Sequence, residues 1–229
     1  MFRSTYNEVK KALKKIKFIR LILYKTKSGY KKYHVFNFLK KDSVFIDFGA
    51  NVGEVSTYVN DKFSCKIYCY EPHPEAFLCL KKKFEKYKNI QTVNCAVSNE
   101  NSEKDFFLHK DSSHENDLTY SQAATLEPKK ENISLDKKIK IKCIHIKDIL
   151  NKFKYIDCIK IDIEGHEYKI LPFIIENKKM IKKVICELHG NSLDKLGNVK
   201  NSFLKAEYDK TIRTLKENNL YNSWFLEWE

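Results

Sequence analysis

Apolar positions along this chain fall into two rhythms, and each rhythm predicts an element. Short apolar runs at 43–48, 66–71, 90–94, 155–161 and 181–188 predict buried strands. Segments 53–62, 75–87, 165–176 and 202–219 carry apolar residues at helical spacing and predict helices. Strands alternating with helices from residue 43 onward predict an α/β domain, a parallel sheet covered by helices on both faces. Pro72 and Pro74 end the second strand and open the helix that follows. Residues 104–109 and 139–146 alternate with a period of two and predict a hairpin-like insertion. Between them, 110–138 is polar and without period. A loop of that length in a compact domain is as a rule functional or disordered, and it reads as a mobile cover over the acceptor site. The aromatic tail 220–228 predicts a final strand closing the sheet.

The first 41 residues follow a different pattern. Val9, Leu13, Ile16 and Leu23, with Ala12 and Ile19 beside them, fall near helical spacing, and lysines fill the other face. Such a helix packs its apolar side on its own domain or a twin subunit, or lies through residues 1–26 on an anionic membrane surface. The chain thus divides into a basic amphipathic arm, 1–41, and a domain, 42–229. The net charge of +13 belongs almost wholly to the arm, where eleven Lys and two Arg face a single acid, Glu8. The remainder is close to neutral. Only three arginines occur in the whole chain, and Arg is the residue suited to bidentate phosphate and base contacts, so composition argues against a nucleic-acid partner. No apolar run approaches the ~20 residues of a spanning helix, and the start lacks a signal-peptide pattern. A cytoplasmic protein is expected, at most peripheral at the inner face of a membrane. The seven cysteines show no C-x-x-C pair and read as reduced, buried thiols.

The candidate chemistry sits where strands end. Asp47-Phe48-Gly49-Ala50-Asn51-Val52-Gly53 follows the first strand and precedes a helix, the arrangement that brings backbone N–H groups to a small anionic ligand. A dinucleotide turn needs G-x-G-x-x-G, and Glu54 stands where its third glycine would be. The spacing D-x-G-x-N-x-G resembles instead the nucleotide loop of S-adenosylmethionine (SAM)-dependent methyltransferases. Glu71, ending the second strand, is placed to accept both ribose hydroxyls of a nucleoside, or is a solvated loop acid. Asn94, with a backbone N–H just beyond it (Ala96 being the residue assigned), could hold an adenine edge, or is a plain turn asparagine. Asp162 and Glu164, in Lys160-Ile161-Asp162-Ile163-Glu164-Gly165-His166-Glu167, reach the same crevice. They could favour a sulfonium cation, orient a hydroxyl or help hold a metal, or simply satisfy a helix dipole. Glu187 and His189 fall on one side of the strand end by alternation. His189 could act as general base with Glu187 orienting it, or be a structural histidine.

With these segments in view, the chain resembles the FkbM family of SAM-dependent methyltransferases. The resemblance is carried by IDFGANVGEVS (46–56), YEPHPEAFLCLKKKF (70–84), NCAVSNENSEKDFF (94–107), IDCIKIDIEGHEYKILPF (156–173) and ICELHG (185–190). It implies a Rossmann-like class I methyltransferase with a seven-stranded, mostly parallel sheet, acting as an O-methyltransferase on hydroxyls of sugars or natural products. It further implies Asp47, Gly49, Asn51, Gly53, Glu71 and Asn94 around the cofactor, and Asp162, Glu164, Glu187 and His189 near the methyl group. It leaves a divalent metal open. The favoured acceptor is a small molecule or glycan, a sugar hydroxyl of a surface polysaccharide, glycolipid or activated precursor. The alternatives are a methyltransferase of RNA or protein, a non-catalytic interaction module, or an NAD-linked oxidoreductase. The neutral body and the absence of an [N/D]-P-P-[Y/F] tetrapeptide weigh against the first, the intact turn against the second, and Glu54 against the third.

Overall fold

The computed structural model describes residues 32–115, 117–190 and 202–228. It falls into two units, one ending at Phe38 and one beginning at Leu39. In the first, Lys32–Phe36 form a 3-10 turn, and the Asn37 N–H donates to His34 O at 3.0 Å. Residues 1–26, where the amphipathic reading of the arm falls, lie outside the described residues.

The second unit is built on a six-stranded sheet of order β3-β2-β1-β7-β8-β9, parallel at every pairing. Its strands are β1 (Val44–Phe48), β2 (Lys66–Tyr70), β3 (Ile90–Val93), β7 (Cys158–Ile161), β8 (Val184–Cys186) and β9 (Phe225–Glu227). Three further strands, β4 (Ala96–Ser98), β5 (Ser102–His109) and β6 (Ile133–His145), make a second sheet of order β4-β6-β5. The helices are α1 (Glu54–Phe63), α2 (Pro74–Phe84), α3 (Ile146–Leu150), α4 (Glu167–Glu176) and α5 (Lys205–Glu217). No described helix is long and apolar enough to cross a membrane.

Register explains the two faces. Ile46, Tyr68, Ile159 and Val184 are neighbours across the sheet, as are Phe48, Tyr70, Ile161 and Cys186. This face packs with residues of α3, α4 and α5, among them Ile149, Leu171, Ile174 and Leu215. The opposite face, carrying Asp47 and Cys69, meets α1, whose Ser56 hydroxyl donates to Asp47 Oδ2 at 2.7 Å and lies 3.2 Å from Cys69 Sγ. Helices therefore cover both faces, as the alternation predicts. Burial pushes the thiols up, Cys65 to about 11 and Cys95 to about 12, so these cysteines behave as small apolar side chains.

The sheet has six strands among the described residues rather than the expected seven. The apolar alternation of 102–109 and 139–145 pairs with itself, β5 antiparallel to β6, and draws β4 into its own sheet around Phe106, Leu108, Ile141 and Cys143. The hairpin reading holds, with β6 starting earlier, at Ile133. The tail does close the main sheet, as a three-residue edge strand beside β8.

A single buried ammonium ties β1 to β7. Lys160, 2% exposed in mid-strand, donates from Nζ to Gly49 O at 2.9 Å and lies 3.2 Å from Asp47 Oδ1 and 3.5 Å from Asp162 Oδ2. Burial alone would lower its pKa, but the two carboxylates outweigh burial and raise it, so the charge stays. Removing one partner of a buried charge pair strands the others. Lys160→Met is expected to cost about 3–5 kcal/mol, read as the urea unfolding free energy, and adding Asp47→Asn should recover part of it.

The turn after β1 is shaped by two glycines with different neighbours. Gly49 (φ +75°) lies so close to the β7 loop that a Cβ would sit 1.8 Å from Asp162 O; at Gly53 (φ +78°) it would meet Leu80 and Phe84 of α2 at 2.7 Å. A left-handed alanine costs about 1–2 kcal/mol at either. Yielding side-chain ends add about 1–3 kcal/mol at Gly53, whereas a backbone carbonyl at Gly49 does not yield. Gly53→Ala should fold with reduced stability and Gly49→Ala should lose much more; equal losses in urea titrations would contradict this reading.

Candidate active site

The C-terminal ends of β1, β2, β7 and β8 converge, as in open parallel sheets generally, and the sequence-predicted residues divide between two sides of that crevice.

On the β1–β2 side the turn is held by its own hydrogen bonds. The N–H groups of Gly49 and Ala50 donate to Tyr70 O at 3.0 and 3.1 Å, Asn51 N–H to Glu71 Oε2 at 2.7 Å, and Gly53 N–H to Ala50 O at 2.8 Å. The expectation that these amides face a ligand is corrected: four are engaged within the protein, and what the turn offers is shape. Asn51 adopts φ +47°, as its left-handed position requires, and its amide donates to Ser121 Oγ at 2.9 Å. Glu71, 4% exposed, accepts Asn51 N–H on one oxygen and His73 N–H at 2.7 Å on the other. A carboxylate has about four acceptor sites, so each oxygen keeps capacity for a ribose hydroxyl. Burial pushes its carboxyl up to about 7, against the pull of the two N–H groups.

Three cofactor-side expectations change. Asp47 is sealed under the turn by Ser56 and Lys160; it positions the loop from below and offers nothing to the crevice. Asn94 turns its amide to Glu71 O at 2.8 Å and Pro72 O at 3.2 Å, fixing the chain after β2. Ala96 lies in β4, paired in register with Cys143 and buried in the small-sheet core, because the strand begins directly after Asn94-Cys95.

On the β7–β8 side the structure does gather Asp162, Glu164, Glu187 and His189. Asp162 N–H donates to Phe48 O at 3.1 Å and Glu187 N–H to Ile161 O at 2.9 Å, which carries the ladder one residue past each strand. His189 is buried, and Tyr168 OH donates to its carbonyl at 2.6 Å. Its Nδ1 lies 2.5 Å from Glu167 Oε1 and its Nε2 3.3 Å from Glu164 Oε2. The orienting acid is thus Glu167, not Glu187, because the first turn of α4 brings Glu167 beneath the ring. Burial would lower the His189 pKa, but Glu167 and Glu164 outweigh it and hold the ring up at about 11. Burial and then repulsion from Asp162 push Glu187 up to about 7. Glu164 is lowered despite burial, by His189 and by the buried Lys130 ammonium that pairs with it.

Lys130 belongs to the segment read as a cover, which is anchored to both sides. Ser121 meets Asn51, Thr125 Oγ1 donates to Glu164 O at 2.7 Å, Glu127 lies 2.7 Å from His166 Nδ1, and Lys130 reaches Glu164. A 3-10 turn, Leu118–Ala123, capped by Asp117, stiffens its start, and Tyr120 stacks on His109 at 4.6 Å. The sequence reading missed Lys130, Lys160 and Glu167. A lysine between Ile159 and Ile161 was the signal for the second; Lys130 stands out in no local pattern.

The structure of precorrin-6y C5,15-methyltransferase from Geobacter metallireducens is similar at 11% identity and a TM-score of 0.45, covering 85% of this chain and 72% of that one. Coclaurine N-methyltransferase bound to N-methylheliamine and SAH is similar at 11% identity and a TM-score of 0.37, over 73% of this chain and 39% of that one. P. horikoshii TYW2 in complex with MeSAdo is similar at 17% identity and a TM-score of 0.27; the match covers 30% of this chain and only 27% of TYW2. No curated protein matches. Residues 47–221 match the model of the methyltransferase FkbM domain, which spans both sides of the crevice and the insertion between them, and the chain belongs to the FkbM methyltransferase family.

Proposed function

We propose that this methyltransferase uses SAM to methylate a hydroxyl of a small molecule, with a sugar hydroxyl of a surface polysaccharide, glycolipid or activated precursor as its acceptor. The observation that carries the reading is the division of the crevice. One side offers a buried carboxylate with spare acceptor capacity, Glu71; the other offers a cluster of carboxylates, Asp162, Glu164 and Glu187, around one histidine. Such a donor set suits a cationic methyl donor and an uncharged acceptor, and it repels a polyanionic nucleic-acid backbone.

The residues present fit the cofactor. Glu71 would accept the ribose hydroxyls, the backbone left-handed at Asn51 would leave room beside them, and Asn94 would set the chain that borders the base. SAM supplies, when bound, a methyl group on a positively charged sulfur. The protein's part is to orient the acceptor hydroxyl and take its proton. Both His189 nitrogens are directed at carboxylates, Glu167 is sealed, and Glu164 and Asp162 face lysines. No lysine lies within ion-pair distance of Glu187 among the described residues, and its half-buried carboxylate is the group that takes the proton. The cover, tied to Asn51 and Glu164, excludes water from the reacting centre.

Glu187→Gln is expected to lower kcat about a hundredfold or more while leaving SAM affinity near normal; unchanged turnover would remove Glu187 from this role. Above about pH 7 the Glu71 carboxyl is ionised and accepts hydroxyls best, and below it protonation removes acceptor capacity. SAM affinity, measured by calorimetry, should therefore fall about tenfold from pH 8 to pH 6. Glu71→Gln should bind more weakly and lose that pH dependence. The acceptor class is tested by finding the glycan or metabolite that loses a methyl group when the protein is absent; a missing methyl on RNA would overturn it.

A further inference from the structure

We propose that Asp162, Glu164 and His189 form a site for a divalent cation of the kind that takes carboxylate oxygens together with one imidazole nitrogen, with Mn2+ as the best-matched ion. One donor atom from each residue lies within 4.8 Å of the other two. Ligands in adjacent corners of an octahedron at ~2.1 Å from the ion are about 3 Å apart, and Glu164 Oε2 and His189 Nε2 already stand 3.3 Å apart. The three come from loops that leave the neighbouring parallel strands β7 and β8, so the sheet fixes their spacing.

The group behind the histidine is an independent observation. Glu167 is fully buried and lies on the far side of the ring from the acids, with Oε1 on His189 Nδ1. That contact fixes Nε2 as the nitrogen presented to Asp162 and Glu164, where the ion takes the place of the Nε2 proton and releases it to solvent. It is the carboxylate–histidine arrangement that orients metal-binding imidazoles and raises their basicity. Its second oxygen, Oε2, is buried with no hydrogen-bond partner, so the carboxylate is more than local pairing satisfies. A third observation is Lys130, a nearly fully buried ammonium brought from the cover onto Glu164. The cluster draws a cation even at the cost of burying it. Two carboxylates and an imidazole fall between the all-oxygen set preferred by Ca2+ and Mg2+ and the nitrogen- and sulfur-rich sets preferred by Zn2+, which favours Mn2+.

The use of this ion toward the acceptor rests on the methyltransferase reading above; its binding does not. A cation there would hold an acceptor offering two neighbouring hydroxyls, a diol, and would lower the pKa of the one to be methylated. The experiment uses the full chain with MnCl2 alone, without SAM, following free Mn2+ by electron paramagnetic resonance and heat by calorimetry. Saturable binding of about one ion below ~1 mM is expected. Asp162→Asn and Glu167→Gln should each weaken it about 10–100-fold, the second without touching a ligand. Lys130→Gln should tighten it by removing a competing charge, and Asp105→Asn, on the outer hairpin, should leave it unchanged. Urea unfolding of each variant confirms that it is folded. No binding at ~1 mM, or wild-type affinity in both folded Asp162→Asn and Glu167→Gln, would overturn the site. SAM titrated separately keeps the readings apart: SAM binding without Mn2+ binding overturns only this proposal, and Mn2+ binding without SAM binding overturns the function proposed above.

Discussion

The Lys160 ammonium is the constraint on which the rest of the crevice depends. It sits in mid-strand where apolar side chains surround it, and it lasts there because Asp47, Asp162 and the carbonyl of Gly49 surround it too. Those partners lie at the end of β1, in the turn that follows it and in the loop after β7, the segments that border the crevice. One charge therefore sets the spacing between the cofactor turn and the acidic loop, and the close approach of Gly49 to Asp162 O follows from it. A buried ion cluster contributes little net stability compared with apolar residues of similar volume put in place of all its members together, although removing one member alone is costly. Its effect is on position.

Positioning of this kind recurs across the site. Glu71 is held by the two N–H groups flanking it, Asn94 holds the backbone beyond Glu71, and Tyr168 holds the carbonyl of His189. Glu164 and His189, which meet at the crevice, are backed in turn by Lys130 and by Glu167. The protein thus concentrates carboxylates at the ends of β7 and β8 and sets a lysine from a strand, a lysine from a loop and the His189 ring among them.

The fold was legible from periodicity because a parallel sheet covered on both faces writes continuous apolar strands and amphipathic helices into the chain. The strand ends at Asp47, Glu71, Asp162 and Glu187 were found for the same reason, since the topology delivers them to one crevice. What was not legible was direction. Asp47 and Glu71 both end strands, yet one carboxylate lies under the turn and the other beside it, a difference set by Ser56 and Lys160. Glu187 and His189 share a side by alternation, but the partner of the histidine is Glu167, twenty-two residues away, brought there by the first turn of α4. Lys130 sits in a stretch without period, so nothing local marked it. Strand count failed where β4, β5 and β6 satisfied one another and left the main sheet.

The segment from Ser121 to Lys130 touches Asn51 at one end and Glu164 at the other, within ten residues. The two sides of the crevice are in this way bridged by one short stretch of chain. A ligand that parts this stretch from Asn51 or from Glu164 does so at the cost of the hydrogen bond that holds it there.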